Sequence, residues 1–412
     1  MSTKGLFEMA LHIVAPWFIS KVEFNVEETR LDIHVDFKAG SKFSVSSSEN
    51  ETHKVYDTKE KTWRHLNFFE HECYLHCRVP RVKTSDGIKQ VSPPWAGLST
   101  GFTLLFEALL VQMCLAMPVN AVSRLTKCDD NKIWRLLDKY VEQARAKNDY
   151  SGLTALGMDE TSRRKGHSYI TLFVDLFEKR TLYIAEGKDH KTVKEFSQDL
   201  TEHNGKAEKI IDVSCDMSPA FIKGVSEVFP AARITFDKFH VMKLINKAVD
   251  AVRREEAQTQ PCLKNTRYLW LKNETNLTVS QKERLKEIEL SKLNLKTFRA
   301  LRIREAFQEI YHANTESEFE TLLNKWYFWA THSRLEPIKK VAKTIKRHWE
   351  GILAWKSSLV NNGVLEGLNS VIQAAKGKAR GYKTMKNLKI IAYLLTGKLL
   401  FHRVNPYITD SN

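Results

Sequence analysis

The sequence predicts an α/β protein with a helical insertion, on three observations. Three strand-like segments follow one another without room for helices, helices and strands then alternate, and a long charged helical stretch separates these from one last helix. Ahead of this core a small β-containing N-terminal domain and a helix-turn-helix are expected. The expected segments are 1–94, 95–150, 151–254, 255–350 and 351–412, with the third and fifth forming one core that the fourth interrupts.

The N-terminal segment alternates with period two at Val22, Phe24 and Val26 and again at Leu31, Ile33, Val35 and Phe37, the pattern of a β-hairpin. A second β-like run covers His71 to Val79, and Val91-Ser92-Pro93-Pro94-Trp95 reads as a linker with a boundary near Pro94. Phe102 to Met117 and Val119 to Thr126 follow as helices, and Asp129-Asp130 can cap a third with apolar Ile133, Leu136, Leu137, Tyr140 and Val141. The last two form a helix-turn-helix candidate that presents Asn131, Lys132, Trp134 and Arg135 where a recognition helix meets a major groove. An ordinary helical hairpin fits the same pattern.

The core strands are expected at Leu153 to Met158, Ser168 to Leu176, Thr181 to Glu186, Lys209 to Ser214 and Arg233 to Phe236. Helices are expected at Thr192 to Glu202, Pro219 to Phe229 and Phe239 to Arg254. This order matches a ribonuclease-H-like fold; a doubly wound nucleotide-binding fold needs a helix after its first strand and usually a Gly-rich loop. Lys264 to Trp349 reads as an all-helical insertion whose Phe319, Leu322, Leu323, Trp326 and Trp329 are taken as core rather than as a base-stacking surface. Val364 to Ala375 is helical, and a basic stretch follows with Lys376, Lys378, Arg380, Lys383, Lys386 and Lys389.

Composition narrows the partner. The 412 residues carry 64 Lys and Arg against 49 Asp and Glu, a formal net charge of +15, which favours a polyanion. The longest apolar run, Phe102 to Met117, contains Glu107 and Gln112 and falls short of the roughly 20 residues of a bilayer span. No secretory signal is read at the N-terminus, and Cys73, Cys77, Cys114, Cys128, Cys215 and Cys262 are scattered as reduced thiols are. A cytoplasmic, nucleoid-associated protein acting on nucleic acid is the expectation.

Asp159 follows one core strand and Asp216 another, and neighbouring strands would bring both to one sheet edge. Glu366 lies on a helix whose apolar face is Leu365, Leu368, Ile372 and Ala375, with Asn369, Ser370 and Gln373 on its polar side. Three carboxylates at one place suit two Mg²⁺ or Mn²⁺ ions, which serve the attacking and leaving oxygens of phosphodiester cleavage. Taken singly, Asp216 also fits a helix start, Asp159 a turn cap and Glu366 a solvated charge. Asp212, Asp237 and Glu160 compete for the metal positions, Asp237 most strongly because it also closes a strand.

At these residues the chain resembles the DDE transposases of the bacterial ISL-three insertion-sequence family. The matching stretches are Gly157-Met158-Asp159-Glu160-Thr161-Ser162, Val213 to Phe221, Asp237-Lys238-Phe239-His240-Val241, Leu365 to Ser370, Gln373 to Tyr382 and, near the N-terminus, Lys61 to Leu66. The resemblance implies an Asp159, Asp216 and Glu366 triad, a DNA-end-binding N-terminal region with a helix-turn-helix, and a helical insertion before the glutamate. It implies double-stranded DNA as partner, both terminal inverted repeats and target, and a homo-oligomer, most simply a dimer, on paired ends. It also exposes a departure. Family members carry Cys and His zinc ligands around the Trp-Arg-His-Leu segment, whereas here the first pair appears as Ser44 and Ser47 and the second falls in Thr84-Ser85-Asp86-Gly87. Hydroxyls replace thiolates poorly at zinc, so a degenerate finger is expected; His71, Cys73, His76 and Cys77 offer no clear tetrahedral spacing. The rival readings are a DNA-binding regulator with structural carboxylates and a nuclease that cuts without joining.

Overall fold

The computed structural model describes residues 2–45, 51–98, 101–164, 168–291, 294–358 and 363–408. Ser47 lies outside them. The chain forms two compact units, Met1–Asn148 with Ile372–Asn412, and Asp149–Val371.

The first unit begins with α1 (Thr3–Ala10) and a six-stranded sheet of β1 (Trp17–Asn25), β2 (Arg30–Phe37), β3 (Lys42–Phe43), β4 (His53–Arg64), β5 (Glu72–Thr84) and β6 (Gly87–Gln90). The expected hairpin is β1–β2, antiparallel in register, with Asn25 Oδ1 accepting from Glu28 N at the turn. Alternation does its work on β2 and β5: Leu31, Ile33, Val35, Cys73, Leu75 and Cys77 are all at most 2% exposed. Burial pushes the Cys73 and Cys77 thiols up to about 12. His76 stands at the opposite parity of β5, bonded through Nε2 to Asp32, so it does not converge with those sulfurs on one ion. The segment expected as a free linker is packed: Trp95 is buried with its ring 5.1 Å from Trp17 and 6.1 Å from Trp63.

Three helices follow, α2 (Leu104–Ala116), α3 (Val119–Thr126) and α4 (Asp130–Arg145). Asp129 caps α4 by accepting from Lys132 N at 3.1 Å. The Glu107 that interrupts the apolar run of α2 is wholly buried, yet satisfied: Tyr140 Oη and Leu98 N donate to its Oε2 at 2.8 and 2.9 Å. Asn405 Nδ2 in turn donates to Tyr140 Oη and to the Leu104 carbonyl, both at 2.8 Å.

The second unit is a five-stranded sheet with helices. After β7 (Ala155–Arg164), β8 (Ser168–Asp175) and β9 (Arg180–Glu186) come α5 (Lys191–Glu202), β10 (Asp212–Cys215), α6 (Pro219–Val228), β11 (Arg233–Phe236) and α7 (Lys238–Glu256). Strand order is β11-β10-β7-β8-β9, antiparallel through β7, β8 and β9 and parallel from β7 to β10 and β11. Helices only then follow: α8 (Arg267–Leu271), α9 (Val279–Ser291), α10 (Lys296–Ile310), α11 (Glu316–His332), α12 (Glu336–Arg347) and α13 (Trp349–Ser357). Phe319, Leu323 and Trp326 are core as expected, with Trp326 Nε1 donating to the Ile303 carbonyl at 2.8 Å, whereas Trp329 is 43% exposed. The last two helices are α14 (Gly363–Lys378), along which the division between the units falls, and α15 (Met385–Thr396). Among the described residues no helix is long and apolar enough to cross a membrane.

Removing the Tyr140 hydroxyl takes a donor from the buried Glu107 carboxylate and an acceptor from the Asn405 amide. Tyr140→Phe is expected to lower unfolding stability by about 1–3 kcal/mol in urea titration, while Tyr407→Phe, at an exposed ring, should leave the midpoint unchanged. Equal midpoints for the two variants would show that the network contributes nothing.

Candidate active site

Parallel register builds a row of carboxylates. Gly157 pairs with Ser214, and Cys215 with Phe236. Two residues past Gly157 and Ser214 stand Asp159 and Asp216, and one residue past Cys215 and Phe236 stand Asp216 and Asp237. Asp159 therefore does not end its strand, as the apolar run suggested. β7 continues to Arg164 because β8 pairs with it along that length, and Asp159 marks only where its partnership with β10 has ended. Asp212 is at the opposite end of β10, held by Arg233 Nε at 2.7 Å, and is not part of the row.

Each aspartate has local partners. Asp159 Oδ1 accepts from Glu160 N at 2.8 Å and lies 3.9 Å from His240 Nε2, while its Oδ2 accepts from Asn369 Nδ2. Asp216 Oδ1 accepts from Ser218 N at 2.8 Å in the turn just ahead of α6, and Asp237 caps α7, its Oδ1 accepting from Phe239 N at 2.7 Å. Burial pushes the Asp159 carboxyl up to about 6, with Asp237 and Asp216 adding repulsion and His240 and the Glu160 amide opposing it. Burial raises Glu160 as well, against the pull of Lys188.

The third expected carboxylate arrives on α14. A Cβ at Gly157 would lie 2.7 Å from Leu176 Cδ2 and 3.0 Å from Leu365 Cδ1, so the bare glycine is what lets α14 lie on β7. Gly157 and Asp159 share a strand face, and Leu365 and Asn369 share a helix face. The two contacts, Leu365 on Gly157 and Asn369 on Asp159, therefore run the helix along the strand. Glu366 sits one turn before Asn369, exposed, and with Asp237 lines a cleft of about 750 Å³. As the side chains stand, no three His, Cys, Asp or Glu among the described residues converge closely enough to hold one ion. The donors themselves are hard oxygens, and the mutual repulsion at Asp159 is of the kind a divalent cation relieves, so the residues fit such an ion.

The expected DNA contacts lie in the first unit. Asn131, Lys132 and Arg135 are exposed on the first turns of α4, Arg135 Nε donating back to the Asn131 carbonyl at 3.2 Å. Trp134 instead packs edge-on against Tyr382, 6.2 Å away. Lys378, Arg380 and Lys383 are exposed, Lys376 donates to Gln373 Oε1 at 2.9 Å, and Lys386 pairs with Asp138. Gly381, at φ +94°, ends α14: its N–H reaches the Lys376 carbonyl at 2.8 Å, a helix-terminating role. Asn369 and His240 are the residues that the sequence left without a role; only their places in the matched stretches pointed to them.

Comparison with known proteins gives the family. Residues 156–392 match a family described as Transposase, the DDE family of ISL3, and residues 91–141 match the helix-turn-helix domain of transposase family ISL3. The transposase for insertion sequence element IS1001 of Bordetella parapertussis is 29% identical over 343 residues, which cover 80% of this chain and 83% of that protein. The transposase for insertion sequence element IS1557 of Mycobacterium tuberculosis is 27% identical over 368 residues, 81% of each.

Gly157→Val places methyl groups where Leu176 and Leu365 already are. Overpacking of this kind costs about 1–3 kcal/mol, and Leu365→Ala in the same chain should return part of it. A Gly157→Val protein with unaltered thermal midpoint would mean that α14 does not need this approach.

Proposed function

We propose, from the premise that the chain belongs to the ISL3 family of insertion-sequence transposases, that it binds the terminal inverted repeats of its element and cleaves and rejoins DNA with Asp159, Asp216 and Glu366. The observation that carries this reading is the row of carboxylates at the ends of parallel strands, with the Glu366 helix laid along β7. The sheet is read as a ribonuclease-H-like core, on the strength of three antiparallel strands followed by two parallel ones, and the helices between α7 and α14 as its insertion.

Asp159, Asp216 and Glu366 would hold Mg²⁺ or Mn²⁺, two per site. Ions held there would supply activation of an attacking oxygen and stabilisation of the leaving one. The protein's part is to fix the ligands: Asn369 orients Asp159 through Oδ2, the Glu160 amide through Oδ1, and His240 sets the charge beside it. Asp216 is held by the Ser218 amide ahead of α6, and Asp237, already engaged as the cap of α7, is the reserve donor. The exposed residues of α4 read the element's ends, the basic segment after α14 holds phosphates, and two copies act on paired ends.

Asp159→Ala, Asp216→Ala and Glu366→Ala should each reduce cleavage and strand transfer by about a hundredfold or more, with binding to end duplexes retained. Near-normal turnover in Asp216→Ala, with loss in Asp237→Ala, would move the second ligand to Asp237. Specific binding by the unaltered protein with Mg²⁺ or Mn²⁺ but no strand breakage would favour a regulator.

Phosphate binding has a separate readout. The Lys378, Arg380 and Lys383 triple alanine variant should flatten the dependence of log affinity on log salt by about 0.9 for each phosphate no longer neutralised, and slow cleavage with it. Arg135→Ala and Lys132→Ala should weaken end binding, at least one of them relaxing sequence preference. An unaltered slope and rate in the first case, or unaltered end affinity in the second, would remove those residues from the interface.

A further inference from the structure

The cleft that Glu366 and Asp237 line contains positive charge without a counter-ion among the described residues. Arg304 on α10 is only 3% exposed, yet among the described residues the groups that bind its guanidinium are neutral. Nε donates to Asn246 Oδ1 at 3.1 Å, Nη1 to the Lys272 carbonyl at 3.5 Å, and Nη2 to Asn273 Oδ1. Glu305, next in sequence, is engaged by Arg302 at 3.1 Å, and no carboxylate among the described residues is within ion-pair distance of Arg304. Burial accordingly lowers the Arg304 pKa, the Glu305 charge opposing it. Lys238 repeats the pattern. Partly buried at the start of α7, it rests its Nζ 4.6 Å from the centre of the Tyr311 ring and 5.8 Å from Trp355, again without an ion pair among the described residues. Charges withdrawn from water are ordinarily paired, because the unpaired state is costly. Two such cations in one cleft mark a place kept for an anion.

The size and the rest of the lining say which anion. A volume of about 750 Å³ is that of a small-ligand pocket, room for a nucleotide and not for a duplex. The side-chain amides of Asn276 and Gln308 can read a base edge, and Phe239, 56% exposed, offers a base face. We propose that the cleft takes one unpaired nucleotide of the strand next to the scissile bond, its phosphate on Arg304 and Lys238 and its base against Phe239. This rests on the transposase reading, since Glu366 and Asp237 form one wall of the same cleft.

The test uses the full-length protein and end duplexes with 2-aminopurine at successive positions around the cleavage site, in chelator so that no cutting intervenes. One position should brighten on binding, and a mismatch there should tighten binding roughly tenfold or more, because unpairing is already done. Phe239→Ala, an exposed change, and Lys238→Gln should each abolish the brightening and the mismatch advantage. Arg304→Lys keeps the charge but not the fork and should lose most of both, with its melting temperature followed in parallel. Brightening at no position, or brightening that survives Phe239→Ala and Lys238→Gln, overturns the proposal and leaves Arg304 as the joint between α7, α8 and α10. Cleavage of the same duplexes in Mg²⁺ reports separately on the catalytic reading. Brightening without cleavage would keep the cleft and refute the chemistry; a protein with no specific affinity for the ends would refute both.

Discussion

The second unit depends on how closely α14 can approach β7. A helix normally stands off a sheet by the length of the side chains between them, and at Gly157 there is no side chain on one partner. That single omission seats Leu365 against the strand, which brings Asn369 within bonding distance of Asp159 one turn later and sets Glu366 at the rim. Remote sequence thus becomes local: a residue 210 positions away orients the aspartate, with the whole helical stretch from α8 to α13 intervening. Gly351 repeats the device at β11, where a Cβ would lie 2.4 Å from Phe236 as α13 packs on that strand.

The electrostatics follow from the same geometry. Parallel pairing aligns strand ends, so Asp159, Asp216 and Asp237 fall side by side without any of them being specified by its neighbours in sequence. Burial works against the ionisation of Asp159, while Asp216 and Asp237 each accept a backbone N–H, from Ser218 just ahead of α6 and from Phe239 in the first turn of α7. One cleft is lined by Asp237 and Glu366 and also by Arg304 and Lys238, neither of which has an ion pair among the described residues. Charge of both signs faces a common space, a suitable arrangement for a ligand that carries phosphate on one side and meets cations on the other.

Much of this was legible in the sequence where periodicity is clean. The β1–β2 hairpin, the order of the core elements and the apolar face of α14 follow from patterns of two or of three and four, which burial enforces. β4 was not foreseen, because His53–Arg64 is almost entirely charged or polar, with Trp63 and Arg64 its only buried residues, and a sheet face turned to water leaves no apolar alternation to read. The extent of β7 was missed for a related reason: beyond Asp159 the strand is polar, and pairing with β8 rather than burial keeps it extended. Asp237 competes for the metal positions on sequence alone, but its place in the row is a matter of register between strands, which no single strand encodes. Arg304 carried no signal at all, since an arginine in a charged helix looks like surface until its neighbours are known.

The first unit has a temporal property that follows from its connectivity. Its opening segment, Met1–Asn148, is made first, and its closing segment, Ile372–Asn412, only after all of Asp149–Val371. The late segment is not ornamental: Asn405 completes the Glu107–Tyr140 network, Arg145 rests 4.4 Å over the Tyr393 ring, and Lys386 pairs with Asp138 on α4. During synthesis, therefore, the helix-turn-helix waits for its final support while the sheet that bears the carboxylates has already left the ribosome. A nascent or prematurely terminated chain would have its acidic cluster before it had a finished helix-turn-helix, so the unit that carries the matched helix-turn-helix is the last part of the molecule to be completed.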